Sequence, residues 1–210
     1  MNIMGKAGFA AVLLAASSIA AAQWYAGGSV GRSTTSFNTS DFSTAGASES
    51  QDRNKAGNKV FAGYDLSRYW ALEGGHAELG TPRYTSSASG PPFGNVSGTS
   101  DVKQSAWFLA AKGTLPVANQ FNVFGKLGWT NNRLELYNTS DNAAFNAAFG
   151  LPVDKSRRRS DMMFGFGGEY LVHKNVGIRF EYDDFGKFGD SNETGATKAG
   201  LWSVGATLKF

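Results

Sequence analysis

The segment at 162–185 constrains the fold most, because apolar side chains alternate in it with charged or small ones. A short polar turn at 173–175 (HKN) divides the segment into two halves that share this alternation. Successive side chains of a strand point to opposite faces, so the pattern predicts two strands, and the polar turn predicts that they form an antiparallel hairpin. One face carries Phe164, Phe166, Tyr170, Val172, Val176, Ile178, Phe180 and Tyr182; the other carries Met163, Gly165, Gly167, Glu169, Gly177, Arg179, Glu181 and Asp183.

Two kinds of barrel use such a hairpin, and they differ in which face is turned inward. In a soluble, lipocalin-like barrel the apolar face packs inside and the charges meet water. In an outer-membrane barrel the apolar face meets lipid and the charged face lines the interior. The hairpin alone leaves both architectures open, so the rest of the chain must decide between them.

The N-terminal residues predict a cleaved signal peptide at 1–22. Lys6 precedes an apolar run at 8–16 (GFAAVLLAA), and the small residues at 20–22 (AAA) form a cleavage site. This order is typical of a secretory signal. The alternative, an N-terminal membrane anchor, is disfavoured because the run is much shorter than the roughly 20 residues of a spanning helix. Residues 23–210 then form one domain of ordinary size.

The composition narrows the class of protein further. The chain has no cysteine, 27 glycines and a formal net charge of only +3. This near-neutral balance disfavours a nucleic-acid partner, which usually requires a strong basic patch. No stretch after the signal peptide is long and apolar enough to predict a transmembrane helix. Frequent glycines and aromatics, with few stretches of helical periodicity, predict an all-β protein.

Eight strands are predicted after the signal peptide, and their connections alternate between long and short. The predicted strands are 23–33, 59–66, 69–79, 102–115, 121–136, 162–172, 176–185 and 199–210. The long connections, predicted to be flexible polar loops, are 34–58, 80–101, 137–160 and 186–198. An even number of antiparallel strands with long loops at one end predicts an all-β, eight-stranded antiparallel up-and-down transmembrane β-barrel.

The last predicted strand favours the membrane barrel over the soluble one. Trp202, Val204, Ala206, Leu208 and Phe210 form one unbroken apolar face. An apolar strand that ends in an aromatic residue resembles the signal by which outer-membrane barrels are recognised for insertion, so Phe210 is the candidate membrane-insertion signal. Aromatic residues near the predicted strand ends also fit the two interfacial girdles of such barrels. A soluble barrel explains neither the terminal Phe210 nor the one-sided loop lengths.

Four segments carry a resemblance to a known family: 24–33 (WYAGGSVGRS), 61–80 (FAGYDLSRYWALEGGHAELG), 124–129 (FGKLGW) and 167–185 (GGEYLVHKNVGIRFEYDDF). Together they resemble the OmpA-type transmembrane β-barrel domain over essentially all of 23–210. The resemblance implies a bacterial outer-membrane protein with both termini in the periplasm. Its implied partners are outer-membrane lipids, lipopolysaccharide, periplasmic chaperones and the barrel-insertion machinery. Because the resemblance ends with the eighth strand, cell-wall anchoring is not expected.

The same resemblance implies a charged cluster that plugs the barrel interior. Glu73, Glu169, Arg179 and Glu181 match positions of that cluster, and Lys126 matches a basic position on the fifth strand. Ser29 stands where the first strand of the family can carry a lysine, so one cation is missing. Lys112 on the fourth predicted strand is the candidate to compensate for it.

Physical reasoning supports an ionic network without the resemblance. An eight-stranded barrel is only wide enough for side chains to fill, and charges shielded from water must be paired and hydrogen-bonded. We expect Arg179 to bridge Glu73 and Glu169, with Lys126 and Glu181 extending the network. The alternative is a set of interior charges that are solvated independently of one another.

Three consecutive arginines, Arg157, Arg158 and Arg159, close the third long connection next to the sixth predicted strand. Guanidinium groups match phosphate oxygens in geometry and charge. The tripeptide is therefore a candidate contact for lipopolysaccharide phosphates. The alternative is a solvated cluster within a loop.

No catalytic, cofactor or metal site is predicted. His76 and His173 lie on different predicted elements and lack the converging partners that a metal site or a nucleophilic triad requires. An outer-membrane enzyme, such as a lipid A deacylase or an omptin-like protease, is therefore disfavoured. The predicted function is structural and surface-exposed, with four long loops that are candidates for adhesion to a host surface ligand. The alternative function is a narrow gated pore for ions or small solutes.

Overall fold

A computed structural model describes residues 24–37, 48–52, 54–90, 94–149, 153–188 and 197–210. Within these ranges the chain forms ten strands and one short helix. They are β1 (Trp24–Phe37), β2 (Ser48–Asp52), β3 (Asn54–Asp65), β4 (Trp70–Glu78), β5 (Arg83–Gly90), β6 (Gly94–Ala118), β7 (Phe121–Ser140), α1 (Ala143–Phe149), β8 (Val153–His173), β9 (Val176–Phe188) and β10 (Thr197–Lys209). Helix α1 is not long and apolar enough to cross a membrane. The predicted signal peptide lies outside the described residues.

Eight of the described strands close into a barrel. Their order around the wall is β6-β4-β3-β1-β10-β9-β8-β7, and β7 pairs back onto β6. Every pairing is antiparallel, including the β1–β10 pairing that joins the two ends of the chain from Tyr25↔Lys209 to Phe37↔Thr197. The predicted eight-stranded antiparallel barrel is therefore confirmed.

The exposure of alternate side chains decides which face is turned inward. Phe180 and Val204 are 57% and 51% exposed, whereas Arg179 and Glu169 are 1% and 3% exposed. A soluble barrel requires the opposite arrangement, because burial of apolar surface drives its folding. The apolar belt on the outside and the ionised groups inside instead match a barrel whose solvent is the lipid bilayer. The predicted membrane orientation of the strands is therefore confirmed.

The two ends of the barrel differ in the length of their connections. Bends at 66–69 and two-residue turns at 119–120 and 174–175 join strands at one end, called here the short-turn end. The N–H of Phe210 donates to the backbone oxygen of Trp24 across a distance of 3.0 Å, so both described chain ends meet at this end. The opposite end is called the outer end.

The boundaries predicted for the long loops are wrong in several places. Strand β1 continues to Phe37, β3 already begins at Asn54, and β7 continues to Ser140. The segment predicted as a loop at 80–101 contains β5 and the first residues of β6. Both faces of a strand meet water beyond the membrane, so these extensions carry no apolar alternation that would reveal them. Residues 38–47, 53, 91–93, 150–152 and 189–196 of the predicted loops lie outside the described part of the chain.

The extensions form a sheet that stands above the outer end of the barrel, called here the outer sheet. It consists of β2, β5 and the first residues of β6 and β8 together with the last residues of β7. The register runs from Ser48↔Ser87 between β2 and β5, through Arg83↔Asp101 between β5 and β6, to Gly98↔Ser140 between β6 and β7. The outer sheet is thus continuous with the barrel wall.

Candidate functional site

The interior of the barrel holds an ionic cluster that joins opposite sides of the wall. Arg179 on β9 donates through Nη1 to Glu73 Oε2 on β4 at 2.8 Å, and its Nη2 lies 3.5 Å from Glu169 Oε1 on β8. Lys126 Nζ on β7 lies 2.8 Å from Glu73 Oε1 and 2.5 Å from Glu181 Oε2 on β9. These side chains are at most 4% exposed. Because β4 and β9 face each other across the ring, the Glu73–Arg179 pair spans the lumen.

Two further charged residues belong to the cluster, and the sequence analysis assigned neither of them to it. Lys59 Nζ on β3 donates to Glu181 Oε1 at 2.5 Å and also to Asp183 Oδ2. Asp183 Oδ1 in turn lies 3.4 Å from the Nζ of Lys126. Lys59 is the direct cross-strand partner of Ser29. Lys59, rather than the predicted Lys112, therefore supplies the cation beside Ser29.

Lys112 is buried in the same interior, where it lies against aromatic rings. Its Nζ is 4.3 Å from the centre of the Tyr25 ring and 5.7 Å from that of Phe124, distances at which a cation is attracted by a ring face. The Tyr25 hydroxyl donates to Glu73 Oε2 at 2.9 Å, which links this region to the ion pairs. Among the described residues, the cluster thus balances four cations against four anions: Lys59, Lys112, Lys126 and Arg179 against Glu73, Glu169, Glu181 and Asp183.

Toward the outer end the interior becomes apolar, which the alternation of the strands did not predict. The buried side chains of this apolar layer are Leu79, Leu134, Met163, Phe185, Phe188 and Leu201, each at most 1% exposed. A lumen lined by polar groups would hold water, whereas these side chains exclude it. The lumen is therefore filled by two successive layers, one ionic and one mainly apolar. The second layer also contains the buried Gln104, whose Oε1 accepts from the Thr35 hydroxyl at 3.1 Å.

The end of β9 contributes two buried rings, Phe185 and Phe188, to the apolar layer. Strand β8 pairs with β9 as far as Phe164↔Asp184. Beyond this point side chains of both neighbouring strands bind β9: Asn132 of β7, and Asp161 of β8, whose Oδ2 accepts from the N–H of Lys187 at 2.9 Å. Asn132 Nδ2 donates to the backbone oxygens of Phe185 at 2.7 Å and Lys187 at 2.8 Å. Gly186 has a φ of 72°, a left-handed conformation that glycine adopts readily. Phe185 follows the regular inward alternation of β9, and the turn at Gly186 interrupts that alternation so that Phe188 is buried as well.

The three consecutive arginines do not share one face of β8. Arg158 lies on the same face as Met162, which is 54% exposed, whereas Arg157 and Arg159 lie on the opposite face. The cross-strand partner of Arg158 is Arg133 on β7, whose Nη2 lies 2.6 Å from Glu135 Oε1. The outward cationic patch is therefore made of residues from three strands: Lys103, Arg133 and Arg158, above the exposed Trp107 and Trp129.

The two histidines lie far apart in the structure. His76 is on the outward face of β4, with its ring centre 4.7 Å from that of Trp107. His173 ends β8 at the short-turn end. In the part of the chain that the structure describes, no three His, Cys, Asp or Glu residues are grouped so that they could hold a metal ion.

Comparisons with known proteins agree with this geometry. Residues 19–210 match the family described as the OmpA-like transmembrane domain. Outer membrane protein A of Yersinia pseudotuberculosis is 29% identical over 188 residues, which cover 89% of this chain and 48% of that protein. Outer membrane protein A of Klebsiella pneumoniae is 26% identical over 191 residues, with 89% and 51% coverage. The chain thus spans about half the length of the curated relatives it matches.

Solved structures show the same fold at low sequence identity. Neisserial surface protein A superposes with a TM-score of 0.56 at 14% identity, covering 89% of this chain and 97% of that one. OprG of Pseudomonas aeruginosa superposes with a TM-score of 0.53 at 14% identity, with 90% and 96% coverage. A closed barrel with an apolar exterior and a family match over almost its entire length lead to one conclusion: the chain belongs to the OmpA-like transmembrane domain family of outer-membrane β-barrels.

Proposed function

We propose that this protein is a closed structural barrel, which anchors the outer sheet in the outer membrane and displays it at the cell surface. The observation that carries the proposal is the filled lumen. A charge-balanced ionic cluster occupies the interior nearer the short-turn end, and an apolar layer occupies the interior toward the outer end. An eight-stranded barrel has room for little besides its own side chains.

Opening this lumen to ions would require several contacts to break together. The Arg179–Glu73 pair, the three Lys126 contacts and the Lys59 contacts share partners. Separation of one pair therefore leaves charges that the remaining contacts do not neutralise. A buried charge that loses its partner is strongly destabilising. This coupling favours the closed scaffold over the second candidate function, a narrow gated pore.

The outer sheet is the part of the molecule suited to display. Arg83 and Asp101 form a two-pronged ion pair between β5 and β6, with N–O distances of 2.7 and 3.1 Å. The N–H of Ser97 donates to Asp141 Oδ1 at 2.8 Å, which ties β6 to the segment before α1. These contacts hold an extended polar surface above the membrane. Adhesion to a host surface ligand is the use that we propose for it.

The direction of the barrel in the membrane follows from the same proposal. The short-turn end, with Trp24 and Phe210, lies in the periplasm, and the outer sheet faces the outside of the cell. Residues 1–22 act as the signal peptide, and Phe210 acts as the insertion signal for periplasmic chaperones and the insertion machinery. The exposed apolar face of β10, with Val204 51% exposed, supports this role because such a face is available to a binding partner.

The closed lumen predicts little or intermittent current in a planar lipid bilayer. The purified barrel should first show heat-modifiable migration in detergent, which establishes that it is folded. A wide porin inserted into the same bilayer provides the positive control for insertion and detection. A steady single-channel conductance of the folded protein would contradict the closed scaffold and favour the narrow pore.

Lipopolysaccharide is the partner that we propose for the outward cationic patch. Lys103, Arg133 and Arg158 project from the wall directly above Trp107 and Trp129, which are 65% and 66% exposed. Large exposed aromatics mark the level of the membrane interface. Cations at that level on the outer end meet the phosphates of lipopolysaccharide, which guanidinium groups bind in a forked geometry.

Replacing Arg158 by serine should lower the affinity for lipopolysaccharide about fivefold, the effect of one cation beside an anionic lipid surface. Arg157→Ser is the matched control, because Arg157 is the sequence neighbour that lies on the opposite face of β8. The measurement is the amount of lipopolysaccharide that co-purifies with each variant, together with its resistance to displacement by polymyxin. Equal retention by the two variants would remove Arg158 from the contact.

A further inference from the structure

A groove on the lipid-facing surface at the short-turn end lies apart from the features described above. It runs beside Trp70, which is 59% exposed, and is bordered toward the turn by Leu115 and Val123. Its floor is formed by Gly113 of β6 and Gly125 of β7. These two glycines are direct cross-strand partners. The wall of the barrel is therefore reduced to bare backbone over two adjacent strands.

The register of four strands explains why the groove has its shape. Trp70 is paired with Gly113, Gly113 with Gly125, and Gly125 with Phe166, so two large rings flank two residues without side chains. The Trp70 ring leans over Gly113, where an added Cβ would lie 3.4 Å from it. At Gly125 the nearest atom to an added Cβ is 3.9 Å away, a backbone oxygen of Gly165. The trough is thus open on the Gly125 side.

The turn that precedes the groove is held in place and carries a cation. The Ser67 hydroxyl accepts from the N–H groups of Tyr69 at 3.2 Å and Trp70 at 3.1 Å. The N–H of Thr114 donates to the oxygen of Tyr69 at 2.8 Å, which fastens the turn to β6. The Arg68 guanidinium lies 5.1 Å from the centre of the Tyr69 ring, and Tyr69 itself lines the groove.

We propose that this groove binds one anionic glycerophospholipid, with an acyl chain on the glycine floor and the phosphate at Arg68. The floor and borders are apolar and face hydrocarbon, which suits an acyl chain. The exposed guanidinium at the mouth complements a phosphate in charge and geometry. The inference rests on the orientation given under the proposed function, because the short-turn end then meets the phospholipid leaflet.

A second copy of the chain fits this groove less well. Two copies related by an axis along the membrane normal keep the same height, so each would bring its own Arg68 to the shared edge. The two like charges would repel each other, whereas a lipid phosphate would be attracted to each of them. The trough also spans only two strands, whereas a stable protein interface buries roughly 1,200–2,000 Å² in total. The charge of Arg68 and the narrow width of the trough therefore favour a lipid over a second copy of the chain as the occupant of the groove.

The test measures how much phosphatidylglycerol remains bound to the folded barrel after detergent exchange, by native mass spectrometry. Gly125→Val fills the open side of the trough, and Gly28→Val is its matched control. Gly28 is an outward glycine of β1 whose added Cβ would also meet only ordinary contact, at 3.7 Å. Arg68→Gln removes the cation, and Lys174→Gln removes a cation from a different short turn. Diacylglycerol, which has no phosphate, is the second probe.

The wild-type barrel should retain about one phosphatidylglycerol, and Arg68→Gln should weaken its binding about tenfold, the effect of losing one charge-assisted hydrogen bond. Gly125→Val should weaken the binding of both probes, while Gly28→Val and Lys174→Gln leave it unchanged. Arg68→Gln should not alter the binding of diacylglycerol. If Gly125→Val fails to fold, the comparison of Arg68→Gln with Lys174→Gln still decides the question.

Three results would overturn the proposal: equal retention by Gly125→Val and Gly28→Val, no effect of Arg68→Gln, or a barrel that is dimeric and becomes monomeric on Gly125→Val. The last result would assign the groove to a second copy. None of these three results implies that the lumen is open. The current measured in a planar bilayer therefore distinguishes a failure of the lipid-groove proposal from a failure of the closed-scaffold proposal.

Discussion

Replacement of Arg179 by glutamine is expected to destabilise the barrel by about 3–5 kcal/mol, the cost of removing one partner from a buried ion pair. Arg179 is 1% exposed, and its guanidinium is the contact that Glu73 and Glu169 share. Without it, the cluster keeps all its carboxylates but loses one of its cations. The remaining negative charge is shielded from water, because the carboxylate side chains of Glu73 and Glu181 are 0% exposed and that of Glu169 is 4% exposed.

A double-mutant cycle with Glu73→Gln separates a coupled network from independent charges. When both partners of the 2.8 Å pair are neutral, neither leaves the other unpaired. We therefore expect the double variant to be more stable than the sum of the two single losses predicts, by about 0.5–3 kcal/mol. The free energy of unfolding can be followed in lipid vesicles with urea, with heat-modifiable migration as the measure of the folded fraction.

Arg158→Gln is the control for the loss of an arginine as such, because Arg158 is exposed on the outer surface. Arg158→Gln should change the free energy of unfolding by no more than about 0.5 kcal/mol. Additive losses in the Arg179 and Glu73 cycle would mean that the two side chains are solvated separately. That result would weaken the case for a lumen closed by charge pairing, although the apolar layer would remain.

The fold was predictable because the membrane imposes a strict pattern on each strand. In β10, the alternation from Trp202 to Phe210 predicted which face is exposed, and the structure agrees: Val204 is 51% exposed and Ser203 is 2% exposed. Strands that extend beyond the membrane are not required to alternate apolar and polar side chains. Strand β5 and the first residues of β6 pair as regularly as the barrel strands do, but both of their faces are polar, so their sequence resembles that of a loop.

The ionic cluster was predictable only in part, because the height of a residue in the barrel depends on strand register. Lys59 was assigned to the start of its strand, since the residues before it are polar. Strand β3 in fact begins at Asn54, so Lys59 lies well inside the wall, on the same face as Phe61 and Gly63. Asp183 was recognised on the charged face of its hairpin, but its contact with Lys59 crosses the lumen. The alternation of residues along one strand does not reveal a contact between two strands that are not neighbours in the barrel wall.

The apolar layer was missed for a different physical reason. The rule for membrane barrels predicts polar residues inside, because a wide lumen holds water. Leu201 and Phe185 lie on the inward faces of β10 and β9, yet both are fully buried among other apolar side chains. In a lumen this narrow, inward residues meet each other rather than water. They therefore follow the packing rules of a protein core.

The last prediction concerns the residue that sequence reasoning missed. Replacing Lys59 by serine is expected to cost about 3–5 kcal/mol, because Glu181 and Asp183 then share Lys126 as their nearest cation. Lys174→Ser, in an exposed turn, is the control for the loss of a lysine and should change the free energy of unfolding by less than about 0.5 kcal/mol.

A variant in which the residues at positions 29 and 59 are exchanged tests whether the cluster needs any cation at this height in the barrel or needs Lys59 itself. Ser29 lies directly across from Lys59, and in the described structure its buried Oγ has no hydrogen-bond partner, so its replacement breaks no such bond. Gly205, the cross-strand partner of Ser29 on β10, has no side chain that a longer residue at position 29 would have to displace. Ser29→Lys combined with Lys59→Ser moves the ammonium group from β3 to β1 without changing the composition.

We expect the swapped variant to recover at least half of the stability that Lys59→Ser loses, as measured by the same urea titration. The reason is that the charge balance of the cluster is restored, and the side chains exchanged between two neighbouring strands have the same combined volume. No recovery would mean that the contacts of Lys59 with Glu181 and Asp183 depend on its exact strand position. A negligible loss in Lys59→Ser alone would instead mean that Lys126 and Arg179 suffice to neutralise the carboxylates, so that the third lysine adds charge without adding stability.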